Sequence, residues 1–352
     1  MRNFHLINIH MCVAIACSIC ILSNITIGTE LLVLDDAAAS HVVSILDPSS
    51  GGAAPTKLAD DAEWFDISPN GHFIMRTTSQ EWVAGEMDAS LFVRTWSVRP
   101  VPGNITYATI APEGIKIAWV TSDSGKSTLV VAEHNDEHPR ILYSISTNGV
   151  VTMPSWSPIG GKLVFYCGTP DSAVMDGYSL VLLDFAENPA SFTEIAPPSL
   201  WTRLSPARTA PPAWSPDGQH ILFEARYSDD ELPGGSYVVS IDGRRLFSSP
   251  FGSWDAQGKS IYSFSREPHE SGMFVLKEIS VLSDMKNPVQ HHLKLDGNPS
   301  VVAISPSGRK IGFIRDKQIC LYDRETGITT AFGSTDFTTR LSWIKPLKCQ
   351  GQ

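Results

Sequence analysis

The residues best placed by type to do chemistry are few and scattered. His134-Asn-Asp-Glu137-His138 spells H-x-x-E-H, a zinc-protease signature. Zinc binding there requires both histidines on one face of a helix. The segment is instead charged, runs at once into Pro139, and lies between strand-like stretches, so it reads as a solvated loop. Gly125-Lys-Ser-Thr128 resembles the end of a phosphate-binding loop, but Val120 stands where the first glycine is needed and no helix follows. It reads as a hairpin turn. No G-x-S-x-G nucleophile elbow occurs. His291-His292 is a pair in a polar stretch without an evident third ligand. Acidic residues (Asp60, Asp61, Glu63, Asp229, Asp230 and Glu231) cluster in what read as inter-strand loops and are expected to be solvated there, with cation or basic-partner binding the alternative. Trp201 stands in the proline-rich insert 197–212, a partner contact or a flap over its own unit.

These readings assign no catalytic residue, metal ligand or cofactor site. The overall charge narrows the partners. Acidic residues number 37 against 27 basic, a net charge of −10 in 352 residues. That disfavours nucleic acid or an anionic bilayer as partner of the whole domain. The composition, 42% hydrophobic and 18% charged, is globular.

Residues 6–22 form an apolar run of 17 residues behind a single early charge, Arg2. This is short for a membrane span and fits a secretory signal, with Ala14-Ile-Ala16 or Thr26-Ile-Gly28 as the cleavage pattern. Residues 1–28 are therefore expected to be a signal peptide, or else a lipoprotein or membrane anchor. Cys17 after Ala16 weakly resembles a lipoprotein box, with Ala14 where leucine is usual. The protein is expected to be exported: periplasmic, envelope-associated or extracellular. Past the apolar run, Cys167, Cys320 and Cys349 form no paired framework, and no disulfide is expected.

The elements that must position any site come from a repeat. Six turns recur: Ile67-Ser-Pro-Asn-Gly71, Ile110-Ala-Pro-Glu-Gly114, Trp156-Ser-Pro-Ile-Gly160, Trp214-Ser-Pro-Asp-Gly218, Trp254-Asp-Ala-Gln-Gly258 and Ile304-Ser-Pro-Ser-Gly308. Their glycines are 43, 46, 58, 40 and 50 residues apart. Proline presets φ for the turn, and glycine takes the left-handed conformation that returns the chain to a strand. Three residues after each glycine stands Ile or Leu (Ile74, Ile117, Leu163, Ile221, Ile261, Ile311). Five after it, in four units, stands Trp119, Phe165, Phe223 or Phe313. This period of two predicts a strand with one packed face. Two further strand candidates follow in each unit, as in Gln318–Asp323 and Ile328–Gly333 around Arg324–Gly327. Four strands per 40–58 residues is a propeller blade.

The W-S-P-D-G turn with its I-x-F strand resembles the repeat of TolB-like, WD40-like (PD40) propellers, over roughly residues 60–345. The Gly-His and strand-closing Trp-Asp pairs of true WD40 repeats are missing, since Trp254-Asp255 falls at the turn. The resemblance implies an all-β propeller over residues 29–352 that binds proteins or peptides. Residues 340–346 look like a seventh first strand, and Leu31–Asp35 and His41–Leu46 like the third and fourth strands of a unit lacking its start. Seven blades are expected, the seventh composite from both termini and as few as three-stranded; six is the alternative. The functional expectation is an exported, non-enzymatic scaffold for a protein or peptide, with membrane contact only through the N-terminal segment. The alternative is a propeller hydrolase or lyase with its site in the central funnel.

Overall fold

The computed structural model describes residues 30–36, 42–49, 55–59, 62–87, 93–133, 139–147, 149–168, 178–186, 190–196, 211–225, 235–244, 246–249, 252–266, 273–281, 289–334 and 338–345. Among these every regular element is a β-strand, and the strands form seven four-stranded antiparallel sheets. The protein is a seven-bladed β-propeller.

Blades 1 to 6 follow the six sequence turns in order, each running from its innermost to its outermost strand. Their first strands are Ala62–Ile67, Asn104–Ile110, Val150–Trp156, Ala213–Trp214, Ser253–Trp254 and Pro299–Ile304. Blade 7 joins both termini: Thr338–Ile344 is innermost, then Leu31–Asp36, Val42–Leu46 and Thr56–Ala59. The segments at 31–46 are thus the second and third strands, not the third and fourth, and the blade is complete. The weak, half-exposed Thr56–Ala59 carries little strand signal, which is why the fourth strand escapes a reading of the sequence.

Each turn closes by an N–H···O=C bond from the glycine to the residue three before it, as from Gly218 to Ser215 at 2.8 Å. All six glycines have φ between 68° and 84°. In blades 1, 4 and 6 the serine that opens the turn also braces the strand that follows. The buried Ser215 hydroxyl accepts from the His220 amide at 2.9 Å, and Ser305 Oγ accepts from Lys310 N at 3.1 Å. In the divergent fifth turn, Asp255 Oδ1 does the same for Lys259 N and Ser260 N. In that turn aspartate takes over the serine's hydrogen bonding, whereas Ala111 in the blade 2 turn has no side-chain acceptor to do so.

Apolar layers fill every blade-to-blade interface, seven in all. Second strands are consequently buried on both faces, not one; Lys116–Asp123 is buried from Ile117 to Thr121. Tryptophans at the end of first strands tie neighbouring blades. The indole N–H groups of Trp156, Trp214, Trp254 and Trp343 donate to the carbonyls of Thr109, Ser155, Ala213 and Ala303 in the preceding blade. Burying a tryptophan with its one donor satisfied is the condition under which the residue stabilises a core.

The blade 1 turn is one residue shorter. Ser68 N–H reaches His72 O, whereas Ser215 N–H reaches His220 O. A one-residue slip sends side chains to the opposite face. Ile74 accordingly packs toward blade 2, while Ile117, Leu163, Ile221, Ile261 and Ile311 pack toward the preceding blade. In blade 1 that inner position falls to Phe73, and Gly85 stands opposite it.

Cys320 is buried and Cys167 half-buried, and both are free thiols; Cys349 lies outside the described residues.

Candidate functional site

First strands line the central channel, and five of them are bulged at nearly the same depth. The ladder breaks between Ala62 and Trp64, Ile105 and Tyr107, Thr152 and Ser155, and Ser300 and Val302, and where Arg340 and Thr338 pair with Asp35 and Asp36. Met153 and Val301 take positive φ there, 52° and 46°. That is costly for a β-branched valine. Bulges re-aim side chains and gather near functional sites.

Just beyond these bulges stands the one charged group of an otherwise small-residue ring. The residue before the last apolar position of the first strand is Asp66, Thr109, Ser155, Ala213, Ser253 and Ala303 in blades 1 to 6, and Ser342, before the tryptophan that donates to the preceding blade, matches it in blade 7. Asp66 is 9% exposed. Its Oδ2 accepts from the Thr109 hydroxyl at 2.7 Å and from the Ile110 amide at 3.3 Å; its Oδ1 accepts from Arg340 Nη1 at 3.0 Å. Three blades therefore converge on one carboxylate. A carboxylate removed from water needs such partners, and charge-assisted bonds are the strong ones. The Arg340 side chain remains 39% exposed. It spends one Nη on Asp66, and a guanidinium carries five N–H donors, so it can engage a second oxygen in the channel.

A second charged group borders the same wall. Glu63 Oε2 meets Arg76 Nε at 3.2 Å and accepts from Gln80 Nε2 at 2.6 Å. Arg76 donates to Ile105 O at 3.3 Å and lies over the Trp82 ring at 5.7 Å. Glu63 thus belongs to a first strand and not to a loop. Trp64 donates to Ala108 O at 2.8 Å and meets Tyr107 edge-on.

His72, half-buried, opens the second strand of blade 1. Its Nδ1 is buried without a hydrogen-bond partner, packed against Gly114, where an added Cβ would sit 2.4 Å from it. Burial lowers its pKa, outweighing the opposite pull of Glu86 and Glu113. The sign follows from proton counting: the unfolded chain takes up the proton first as pH falls, so stability present above the ordinary histidine pKa of about 6.5 is lost below it. The melting temperature should therefore drop between about pH 7 and pH 5 more in the natural protein than in His72→Gln, as followed by thermal melts. Equal pH dependence in both would contradict this.

The other residues singled out by type do not join the channel. Gly125 lies in a two-residue hairpin with Ser124, both at positive φ (79° and 49°), as a type I′ turn requires. His291 and His292 lie on the fourth strand of blade 5, Val289–Asp296, and not in a loop. The His134–His138 motif, Asp60, Asp61, Asp229, Asp230, Glu231, Trp201 and residues 1–28 lie outside the described residues. Asp66 and Arg340 carry no motif that marks them in the sequence.

No protein-family profile and no curated protein matches this chain. Solved structures do. An oligogalacturonate lyase in complex with manganese superposes with a TM-score of 0.57 at 12% identity, covering 88% of this chain and 87% of that one. A 6-phosphogluconolactonase candidate from Bacteroides uniformis gives 0.55 at 12% identity, covering 91% and 100%. TolB from Acinetobacter baumannii gives 0.45 at 16% identity, covering 72% and 61%. At these identities the likeness establishes the fold alone, and the β-propeller implied by the repeat is the fold present. The expectation of a non-enzyme is corrected: the two nearly full-length likenesses above bear enzyme names, so failure to find a familiar motif says little in this fold. Among the described residues no group of three His, Cys, Asp or Glu could hold a metal ion.

Proposed function

We propose that the protein is an exported enzyme of the hydrolase or lyase class, acting in the central channel on a sugar acid or sugar lactone. Asp66 is its acid–base group and Arg340 its anion-orienting group. The observation that carries this reading is the Asp66 carboxylate, held by donors from blades 2 and 7 beside a half-exposed guanidinium. The apolar run at residues 6–22 supports export.

Both reactions ask for the same pair of groups. In β-elimination a base removes the proton α to a carboxylate and negative charge builds on the carboxylate oxygens; the Cα=Cβ double bond then forms as the C–O bond at the β carbon breaks, and the departing oxygen keeps that electron pair and takes a proton from the protonated base or from water. In lactone opening a base takes a proton from water, the new C–O bond forms while charge builds on the carbonyl oxygen, and the ring C–O bond then breaks, its oxygen taking the proton back from the protonated base. Asp66 receives the proton in either case. Arg340 offsets the oxygen charge, the kind of fixed electrostatic help that makes up much of catalysis. Thr109 and the Ile110 amide hold the carboxylate in place, which lowers the reorganisation needed.

Purified protein should be assayed for unsaturated-product formation from oligogalacturonate and for acid release from sugar lactones. Turnover of one class above the uncatalysed rate is expected. Absence of turnover on both classes would overturn the enzymatic reading.

A further inference from the structure

The two faces of the disc differ in a way the channel chemistry does not use. One face carries the recurring turns between first and second strands and the starts of the fourth strands. The other carries the hairpins between second and third strands and the starts of the first strands. Eight large apolar side chains stand exposed among the described residues. Apart from Val150 they belong to the end of the disc that carries the recurring turns, two in its turns and five along its outer rim. Ile115 (54% exposed) and Ile159 (61%) project from the recurring turns of blades 2 and 3. Ile141, Phe192, Val289 and Ile328 sit at or next to the starts of fourth strands in blades 2, 3, 5 and 6. Turn tips are ordinarily the polar part of a propeller, and apolar groups gathered on one surface mark an interaction site.

The chain's own N-terminus identifies what covers this face. Leu31 opens its strand opposite Ile344, at the end of the blade 7 first strand that carries the recurring turns in the other blades. Glu30 is fastened to the same face through the amide and hydroxyl of Ser307 in the blade 6 turn. The described chain thus begins on this face, and the apolar run at 6–22 precedes it by a short stretch of sequence. Residues 23–30 are eight in number and span at most about 28 Å. Passing over the rim means crossing two strand spacings of about 4.8 Å and descending a strand of about seven residues, some 33 Å in all. The tether is too short for that route.

We infer that the face bearing the recurring turns lies on a lipid bilayer, held there by residues 6–22, with the isoleucine tips set into its interface. The acidic balance of the chain selects a zwitterionic surface. Apolar side chains of this type bind by area buried at the interface, not by charge. The opposite mouth, near Glu63, Arg76 and Gln80, then opens to water. This inference stands independently of the chemistry proposed for Asp66.

The full chain, with residues 1–28 retained, should be mixed with phosphatidylcholine vesicles and followed by amide hydrogen exchange. Exchange at 111–116, 157–162 and 324–328 should slow about tenfold or more, while 78–81, 124–126 and 316–317 stay unchanged. Protection of the second set, protection of neither, or failure of the full chain to sediment with the vesicles would each overturn the inference.

Discussion

Removal of residues 338–352 should unfold the protein or drive it to aggregate. The deleted strand, Thr338–Ile344, is the innermost of blade 7 and pairs with Leu31–Asp36 over six register positions. At about 0.5–1.5 kcal/mol net per ladder bond, that pairing contributes about 3–9 kcal/mol. Trp343 is 8% exposed and donates to Ala303 O at 3.1 Å; its loss removes about 3 kcal/mol or more. The Lys345 N–H bond to Pro69 O, which joins blade 7 to the blade 1 turn, is lost as well. Domains are stable by only about 5–15 kcal/mol in total. The truncation would also expose the edge of Leu31–Asp36 to pairing with another chain. Circular dichroism and size-exclusion chromatography should show loss of a cooperative melt and large species. A monomeric truncated chain with an unchanged melting temperature would mean that the ring does not depend on this closure.

The second large effect is expected at Gly85. A Cβ there would sit 2.4 Å from Phe73 Cζ and 2.8 Å from the Arg94 carbonyl oxygen. Gly85→Val should therefore destabilise by about 1–3 kcal/mol or more through overpacking. The corresponding pair in blade 4 is Ile221 opposite Val239. Phe73→Ile combined with Gly85→Val recreates that pair and should recover part of the loss. A double-mutant cycle in denaturant reads the coupling. A single Gly85→Val variant as stable as the natural protein would show that the neighbouring chain yields.

Gly85 also marks the boundary between what is legible in the sequence and what is not. The six turns, the Ile or Leu three residues on and the aromatic five residues on are local chemistry. All six aliphatic residues are at most 1% exposed, and Trp119, Phe165, Phe223 and Phe313 are buried. Local patterns could not reveal that the blade 1 turn is shorter in its pairing, because its glycine has the same spacing to Ile74 as the others have to their own aliphatics. Nor could they place the strand at 31–36 within its blade, since no turn motif precedes it. The candidate site was hidden for a topological reason. Asp66 and Arg340 are 274 positions apart, and only closure of the ring brings them together. One signal was available: aligned on their turns, the six repeats carry Asp66, Thr109, Ser155, Ala213, Ser253 and Ala303 at one position, and only the first is charged.

Asp66 is assigned chemistry in the channel, beyond the anchoring of Arg340. Turnover by the natural protein and by Asp66→Asn, compared at equal concentrations of folded protein on whichever sugar acid or lactone the natural protein consumes, tests this most directly. Asparagine keeps the size, its one amide oxygen can still accept from Arg340 while its NH2 donates to the Thr109 hydroxyl, but it cannot take a proton. Turnover number should fall by about 10²–10⁴-fold, the usual contribution of a positioned acid–base group, with the cooperative melt retained. An Asp66→Asn protein that turns over substrate at the natural rate would contradict the assignment.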